Sequence, residues 1–443
     1  MRTKILLWSV VSILILIIGL AAGAFWWLRR PQVITFSDGA KLTLLAVDYG
    51  KRHVPPGVKL PAATTMTGPT RVRRGGAFTT PTDTLVVWVR QQHDPQQYAN
   101  FQYYLYDKAG TACAVSYGYG GGGRQGNEVV GVQFSAFPRR QGKFILRVQE
   151  NSNTGQEMSD QKFAIRNPAH KSYPAWTAEA LPDMQVDDDL SVILTKLVSG
   201  ADMPYQRDQD DADDAANKGV QATFHIERNG NVVTNWEPVS IETSDATGNH
   251  VTGWVTQNNW QDGDDTVAYQ YGLWPDEPAW KLRVEFSKQS DYNADELWTV
   301  QKIPLEPGRQ MDFYNYYGRR GNTNTAFAET DLNGYHLKIF AAKQFTDVPA
   351  NSQPQGGFSI ETTPSLPEGM RLTLVSLTDD QTNDIGNWNF GTFGNGTSTT
   401  YRYGLRDIDG VTNLNLTLAL HKSRFVEFTV KPEQAPASAE AAQ

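Results

Sequence analysis

Chemistry in a protein needs groups that can ligate a metal, transfer a proton or attack a substrate, and few positions in this 443-residue chain offer them in a usable pattern. Seven histidines occur, His53, His93, His170, His225, His250, His336 and His421, with no H-E-x-x-H and no pair at helical metal-ligand spacing. The single cysteine, Cys113, lies among Ala and Val beside a strand pattern and reads as a small buried hydrophobe. No G-x-S-x-G elbow occurs. The glycine-rich run Tyr117–Arg124 lacks the G-K-[ST] ending that places a lysine and a magnesium ligand, so it is expected to be a flexible loop. Asp208, Asp210, Asp211, Asp213 and Asp214 could offer oxygen ligands to calcium. Counting from Asp208, however, the sixth residue is Asp213 and the twelfth Gly219, where an EF-hand needs glycine and glutamate. A solvated loop is the plainer reading. The turn Asp407-Ile408-Asp409-Gly410 is weaker still as a metal site. Trp254 and Trp260, in the polar segment GWVTQNNWQDGDD, could stack on a sugar or partner, although packing within a long loop fits them better. No catalytic, cofactor or metal residue is therefore assigned, and the ligand-binding residues stay unknown.

The elements around these residues are strands. With 11% aromatics, 38 Gly and 23 Pro, the composition is that of many short strands joined by turns. Trp280–Phe286 and Leu414–Leu420 alternate strictly between apolar and other residues, as does Ala222–Glu227, while Leu85–Val89 is apolar on both faces and predicts a central strand. Asn229-Gly230 and Asn333-Gly334 predict tight hairpin turns. The formal charge of −8 provides no basic field for nucleic acid.

An internal repeat organises these strands. Phe137-Pro138, followed by Phe144–Val148, recurs about 136 residues later as Trp274-Pro275 followed by Trp280–Val284. Tyr269–Leu273 recurs as Tyr401–Leu405, and Tyr106–Gly110 matches Ser244–Gly248. Three strands run into proline and would each close a unit: Phe163 to Pro168, Trp298 to Pro304, and Phe425 to Pro432. The expectation is all-β: about three serial, Ig-like β-sandwiches at 33–175, 185–305 and 308–432. A linker at 176–184, a short stiff one at Pro304–Pro307 and a disordered tail at 433–443 complete the division.

Residues 1–32 differ in kind. Ile5–Leu28 carries no charge, and its 24 residues at about 1.5 Å each could span a bilayer core. Trp26-Trp27 followed by Arg29-Arg30 suits a headgroup layer, and Pro31 would stop the helix. Cleavage after Ala24 is the competing reading, but the apolar run continues past that point. A single-pass signal anchor in the inner (cytoplasmic) membrane with a periplasmic body is expected, on the layout of a short basic tail before a long body.

The segments PRRQGKFILRVQE (138–150), FAIRNPAHKSYPAW (163–176), EPAWKLRVEFSK (277–288) and SRFVEFTVKP (423–432) resemble pieces of uncharacterised bacterial proteins with an N-terminal anchor and repeated β-domains. The resemblance implies an envelope setting and no activity. Together these features predict a membrane-anchored, non-enzymatic envelope protein that presents its β-domains for binding or spacing. A protein or polysaccharide is the partner class, and no cofactor is implied. The alternative is an envelope enzyme acting on glycans through two facing carboxylates drawn from the 48 acidic residues.

Overall fold

The computed structural model describes residues 32–36, 39–56, 78–93, 100–113, 119–124, 127–151, 157–202, 218–254, 260–310, 326–349, 353–394 and 396–435. Among them the chain is all-β. No helix among the described residues is long and apolar enough to cross a membrane, and the anchor expected at 5–28 lies outside them, as does Asp208–Asp214.

The first unit contains β1 (Val33–Thr35), β2 (Lys41–His53), β3 (Phe78–Gln92), β4 (Asn100–Tyr106), β5 (Ala112–Cys113), β6 (Tyr119–Arg124), β7 (Asn127–Phe134), β8 (Lys143–Asn151) and β9 (Glu157–Arg166). They form two antiparallel sheets, ordered β1-β2-β3-β7-β6 and β5-β4-β8-β9. Strand period explains how the sheets pack. Leu85, Val87 and Val89 of β3 point inward with Val130, Val132 and Phe134 of β7, and meet Tyr103, Leu105, Leu146 and Val148 of the facing sheet. Val86 and Trp88, on the opposite face of β3, are buried with Phe78 in a separate cluster, which accounts for a strand apolar on both sides.

The second unit comprises β10 (Asp183–Asp187), β11 (Leu190–Asp202), β12 (Lys218–Arg228), β13 (Asn231–Val232), β14 (Trp236–Asp245), β15 (His250–Trp254), β16 (Trp260–Asp262), β17 (Asp265–Gln270) and β18 (Trp280–Lys288). The third comprises β19 (Leu297–Gly308), β20 (Ala326–Leu332), β21 (Tyr335–Phe340), β22 (Ala342–Phe345), β23 (Gly356–Thr363), β24 (Met370–Asp379), β25 (Gly386–Gly394), β26 (Thr399–Arg406) and β27 (Asn413–Lys422); the chain ends in β28 (Arg424–Val430) and β29 (Glu433–Gln434). The second unit repeats the first: β10-β11-β12-β17-β16 faces β15-β14-β18-β28. The third does so again, β20-β21-β23-β26-β25 lying with β24-β27-β19. Asn229 (φ 51°) with Gly230 (φ 75°), and Asn333 (φ 51°) with Gly334 (φ 82°), form the expected two-residue turns of β12–β13 and β20–β21.

The order of the last strands departs from the sequence expectation. By position in the repeat, β9, β19 and β28 are equivalent closing strands. β9 pairs with β8 of its own unit, but β19 pairs with β27 of the third unit, and β28 returns to pair with β18 of the second. The boundary expected at 308–432 is therefore displaced: the third unit uses residues from Leu297, while Arg424–Val430 belongs to the second. The supposed linker Pro304–Pro307 lies inside β19. There the strand leaves its antiparallel partner β27 and takes up parallel pairing with β22. Proline tolerates this change of partner because it has no N–H to leave unpaired in a ladder.

Two smaller expectations also change. Tyr119–Arg124, read as part of a flexible loop, is an edge strand on β7, since extended glycine backbone pairs as well as any other and an edge asks little of side chains. Glu433-Gln434, assigned to a disordered tail, pairs in parallel with Val198-Ser199 of β11.

Candidate functional site at the junction of the first two units

Among the described residues, a dense set of buried polar groups lies where the first two units meet, and the repeated motifs build it. In each unit a strand ends on an aspartate whose side chain organises the following turn. Asp107 Oδ1 accepts from the amides of Ala109 (2.9 Å) and Thr111 (2.8 Å). Asp245 Oδ1 accepts from those of Thr247 (2.8 Å) and Asn249 (3.1 Å), and Asp379 Oδ1 from those of Gln381 and Asn383 (both 2.8 Å). The fourth residue is left-handed each time: Gly110 at φ 83°, Gly248 at φ 90° and Thr382 at φ 68°. Threonine in that region is strained, which explains why a search for aspartate followed by glycine finds only the first two copies. The D-x-x-x-N spacing shared by Asp245–Asn249 and Asp379–Asn383 is the signal that reveals the third.

The second motif of each unit faces the first motif of the other. Asn249 accepts from the Phe137 amide (3.1 Å) and donates to the Phe137 carbonyl (3.0 Å), a two-way pairing of a side-chain amide with a backbone. Arg139, 5% exposed, donates from Nε to Asn249 Oδ1 (2.9 Å) and from Nη1 to the Thr247 carbonyl (3.1 Å) and the Tyr49 hydroxyl (3.0 Å). Its guanidinium carbon lies 4.9 Å from the Phe137 ring centroid and 5.4 Å from that of Tyr49. In the reciprocal contact, Trp274 Nε1 donates to the Thr111 carbonyl (3.1 Å). The two aromatic-proline loops also touch. Arg140 Nε is shared between both Glu277 oxygens (3.0 and 2.9 Å), and Gln141 Nε2 reaches Asp276 (3.4 Å). Each unit thus offers the same two loops, and the junction has approximate two-fold character within one chain. The buried residues of both units form one continuous apolar cluster behind it.

Asn167 holds the first loop in place, donating to the carbonyls of Pro138, Arg139 and Gln141. Burial shifts the carboxyls here. It pushes Asp107 above its ordinary value, with backbone bonds such as that from Thr111 opposing and nearby Asp276 adding. Glu277 is raised for the same reason, against the opposing bond from Arg140. Arg139, Arg140, Asn249, Trp274 and Glu277 bridge the two units, while Asp107, Asp245 and Asn167 shape the loops that meet there.

A second polar arrangement joins the second and third units. Arg371 of β24 forks onto Glu285 of β18, Nε to Oε1 at 2.7 Å and Nη2 to Oε2 at 2.6 Å, and Ser423 Oγ donates to Oε1 at 2.5 Å. Burial alone would raise the Glu285 pKa, but the bonds from Arg371 and Ser423 outweigh it and hold the carboxyl below its ordinary value. Lys288 Nζ to Glu296 (2.7 Å), and His421 between Thr373 (3.1 Å) and the Tyr292 ring (5.1 Å), complete the set. Burial lowers the His421 pKa, which favours neutral imidazole.

The residues singled out in the sequence are dispersed. His225 pairs with Asp265 (2.8 Å) and His336 with Asp331 (2.8 Å) on strand surfaces, and His250 approaches Glu242 (3.9 Å). His170 lies beside Gly142. No group of three metal-ligating side chains gathers among the described residues. Cys113 stands opposite Leu105 in the short pairing of β4 and β5. Trp254 ends β15 and Trp260 begins β16, so both occupy strand positions rather than a loop. Asp407 takes φ 58° in the turn after β26.

One constellation missed in the sequence is acid, imidazole and hydroxyl in line. His53, fully buried, lies 3.2 Å from Asp48 and 3.4 Å from Thr80 Oγ1. Thr80 donates to the Thr82 carbonyl at 2.8 Å, so its proton is committed to the backbone and not to the imidazole. The arrangement braces the end of the β2–β3 hairpin. Only tertiary pairing brings Thr80 back beside His53, 27 residues away.

No protein-family model matches the chain, and no curated protein matches it in sequence.

Proposed function

We propose that this protein is a non-enzymatic spacer of a bacterial envelope, anchored in the inner membrane through residues 5–28, whose three immunoglobulin-like sandwiches hold a binding surface at a set distance from the membrane. The sheet orders support the Ig-like reading, because each unit sets four or more strands against a second sheet with repeated crossings between the two. The observation that carries the spacer reading is that both junctions are built. At the first, Arg139 and Asn249 lock two units over one continuous core. At the second, the chain passes out between β18 and β19 and back between β27 and β28, so two connections cross between units where a flexible tether would need one. A hinge would have to break these buried bonds. The body is periplasmic in this reading, and its partner is an envelope protein or a cell-wall polysaccharide.

Small-angle scattering on the full-length chain in nanodiscs, with the lipid matched out, tests the spacer. A single sharp maximum dimension, unchanged between 0.05 and about 0.5 M salt, is expected. A broad ensemble of dimensions would refute it. Protease treatment of intact cells and spheroplasts, following an epitope after Gln443, tests the topology. Cleavage only after the outer barrier is opened is expected, and resistance until the inner membrane is lysed would invert the anchor.

A further inference from the structure

The crossing of the closing strands has a consequence for assembly that goes beyond the spacer reading. Three equivalent strands exist, and only β9 stays at home. β8 and β9 are separated by residues 152–156, enough chain for a hairpin. β27 and β28 are separated by Ser423 alone. An antiparallel hairpin needs about two loop residues at minimum, so β28 cannot fold back on β27 and must find an acceptor elsewhere.

The acceptor is the edge of β18. Its inward residues Trp280, Leu282, Val284 and Phe286 are each 0% exposed once β28 is in place, and β28 contributes Val426, Phe428 and Val430 to the same core. Seven register pairs join the strands, from Trp280 opposite Val430 to Phe286 opposite Arg424. Around them, Arg424 reaches Asp188 (3.3 Å) and Asp189 (3.5 Å), and Ser423 reaches Glu285. Without β28, the β18 edge would present a row of unpaired N–H and C=O groups beside exposed aromatic surface, a strong template for another strand.

We propose that β28 of one copy can close the second unit of another copy, so that the protein forms strand-exchanged homodimers. Each contact just named is made by Ser423 or β28 with the second unit, and each is identical whether that unit belongs to the same chain or to its neighbour. The two forms differ mainly in the entropy of association, and local protein concentration during folding selects between them. The reciprocal exchange of β19 and β28 between two units of one chain is the same event carried out intramolecularly.

Lys281 and Thr429 stand opposite each other across β18 and β28, which permits a direct test. In full-length chains made cysteine-free by Cys113→Ser, one copy carries Lys281→Cys and a differently tagged copy carries Thr429→Cys. A disulfide between them requires β28 of one chain on β18 of the other. Co-expression in one cell should yield a cross-linked heterodimer that increases with expression level. Copies folded separately and then mixed in detergent should yield at least tenfold less. A single chain carrying both cysteines calibrates the positions by forming the internal link. If that link forms while co-expressed single variants give no heterodimer at any expression level, the proposal is overturned.

Discussion

Replacing Arg139 by methionine keeps most of the side-chain volume and removes the guanidinium, which isolates the polar part of the first junction. Two buried acceptors lose a donor: the Thr247 carbonyl and Asn249 Oδ1, the latter retaining the Phe137 amide. Leaving a buried acceptor unpaired costs about 1–3 kcal/mol, and loss of the cation over the Phe137 and Tyr49 rings adds roughly 0.5–2 kcal/mol. Methionine recovers some ring contact, so the net cost should be about 2–4 kcal/mol. That is a large part of the roughly 5–15 kcal/mol by which a domain is stable, yet the sandwich cores themselves are untouched. The junction should therefore open before either unit unfolds. Denaturant melts of Arg139→Met, Asn249→Ala and the double variant form the assay, with hydrogen exchange at the Phe137 amide as a local probe. Groups in contact should couple by about 0.5–3 kcal/mol, and the Phe137 amide should exchange much faster in either single variant. Arg139→Lys should rescue little, because a point charge cannot serve Asn249, Thr247 and Tyr49 together. Additivity within about 0.3 kcal/mol with an unchanged Phe137 amide would refute the lock.

Three further outcomes are expected. Glu285→Gln should cost about 2–4 kcal/mol, since the single amide oxygen can still serve Arg371 Nε and Ser423 but the amide NH2 then faces the other arm of the Arg371 fork and the opposing charge is gone; a denaturation midpoint equal to the parent's would contradict this. The two junctions should respond oppositely to acid. Asp107 and Glu277 have raised pKa values, so stability at the first junction is lost as pH rises from their ordinary 3.8 and 4.5 through the folded values, and mild acid should slow exchange there. Glu285 and Glu296 have lowered values, so the stability they add is present above 4.5 and disappears as pH falls through the folded values; exchange by mass spectrometry from pH 7 to 3, corrected for intrinsic rates, separates the two trends. Finally, Gly131→Ala would put a methyl 2.8 Å from the Trp88 ring, which is 1% exposed, and should lower stability by about 1–3 kcal/mol with a changed near-UV tryptophan signal.

Much of the local structure can be read from residue order because it depends on short-range periodicity. The alternation in Trp280–Phe286 and Leu414–Leu420 gives strands with one buried face, and the left-handed Asn-Gly pairs give turns of known length. Of Trp274, Trp280 and Trp298, which repeat or strand positions mark as core, the first two are buried and Trp298 is partly buried against the core of the third unit. The glycine-rich segment hides its strand for the same local reason: nothing in the run Tyr119–Arg124 announces a strand until β7 lies beside it. The junction was half legible. The motifs around Phe137 and Trp274 stand out as repeats, but a repeat does not say that its copies face one another. That requires Arg140 opposite Glu277 and Arg139 opposite Asn249, pairings between residues more than 100 positions apart.

Residue order by itself determined that this chain builds strands and repeats one unit, with three equivalent strands that each run into a proline. It could not determine which unit each of those strands would close. A strand's edge accepts any partner of suitable register, so the choice falls to connection length and three-dimensional reach. One residue between β27 and β28 is too short a connection for a hairpin, and β28 completes a unit begun more than 200 residues earlier.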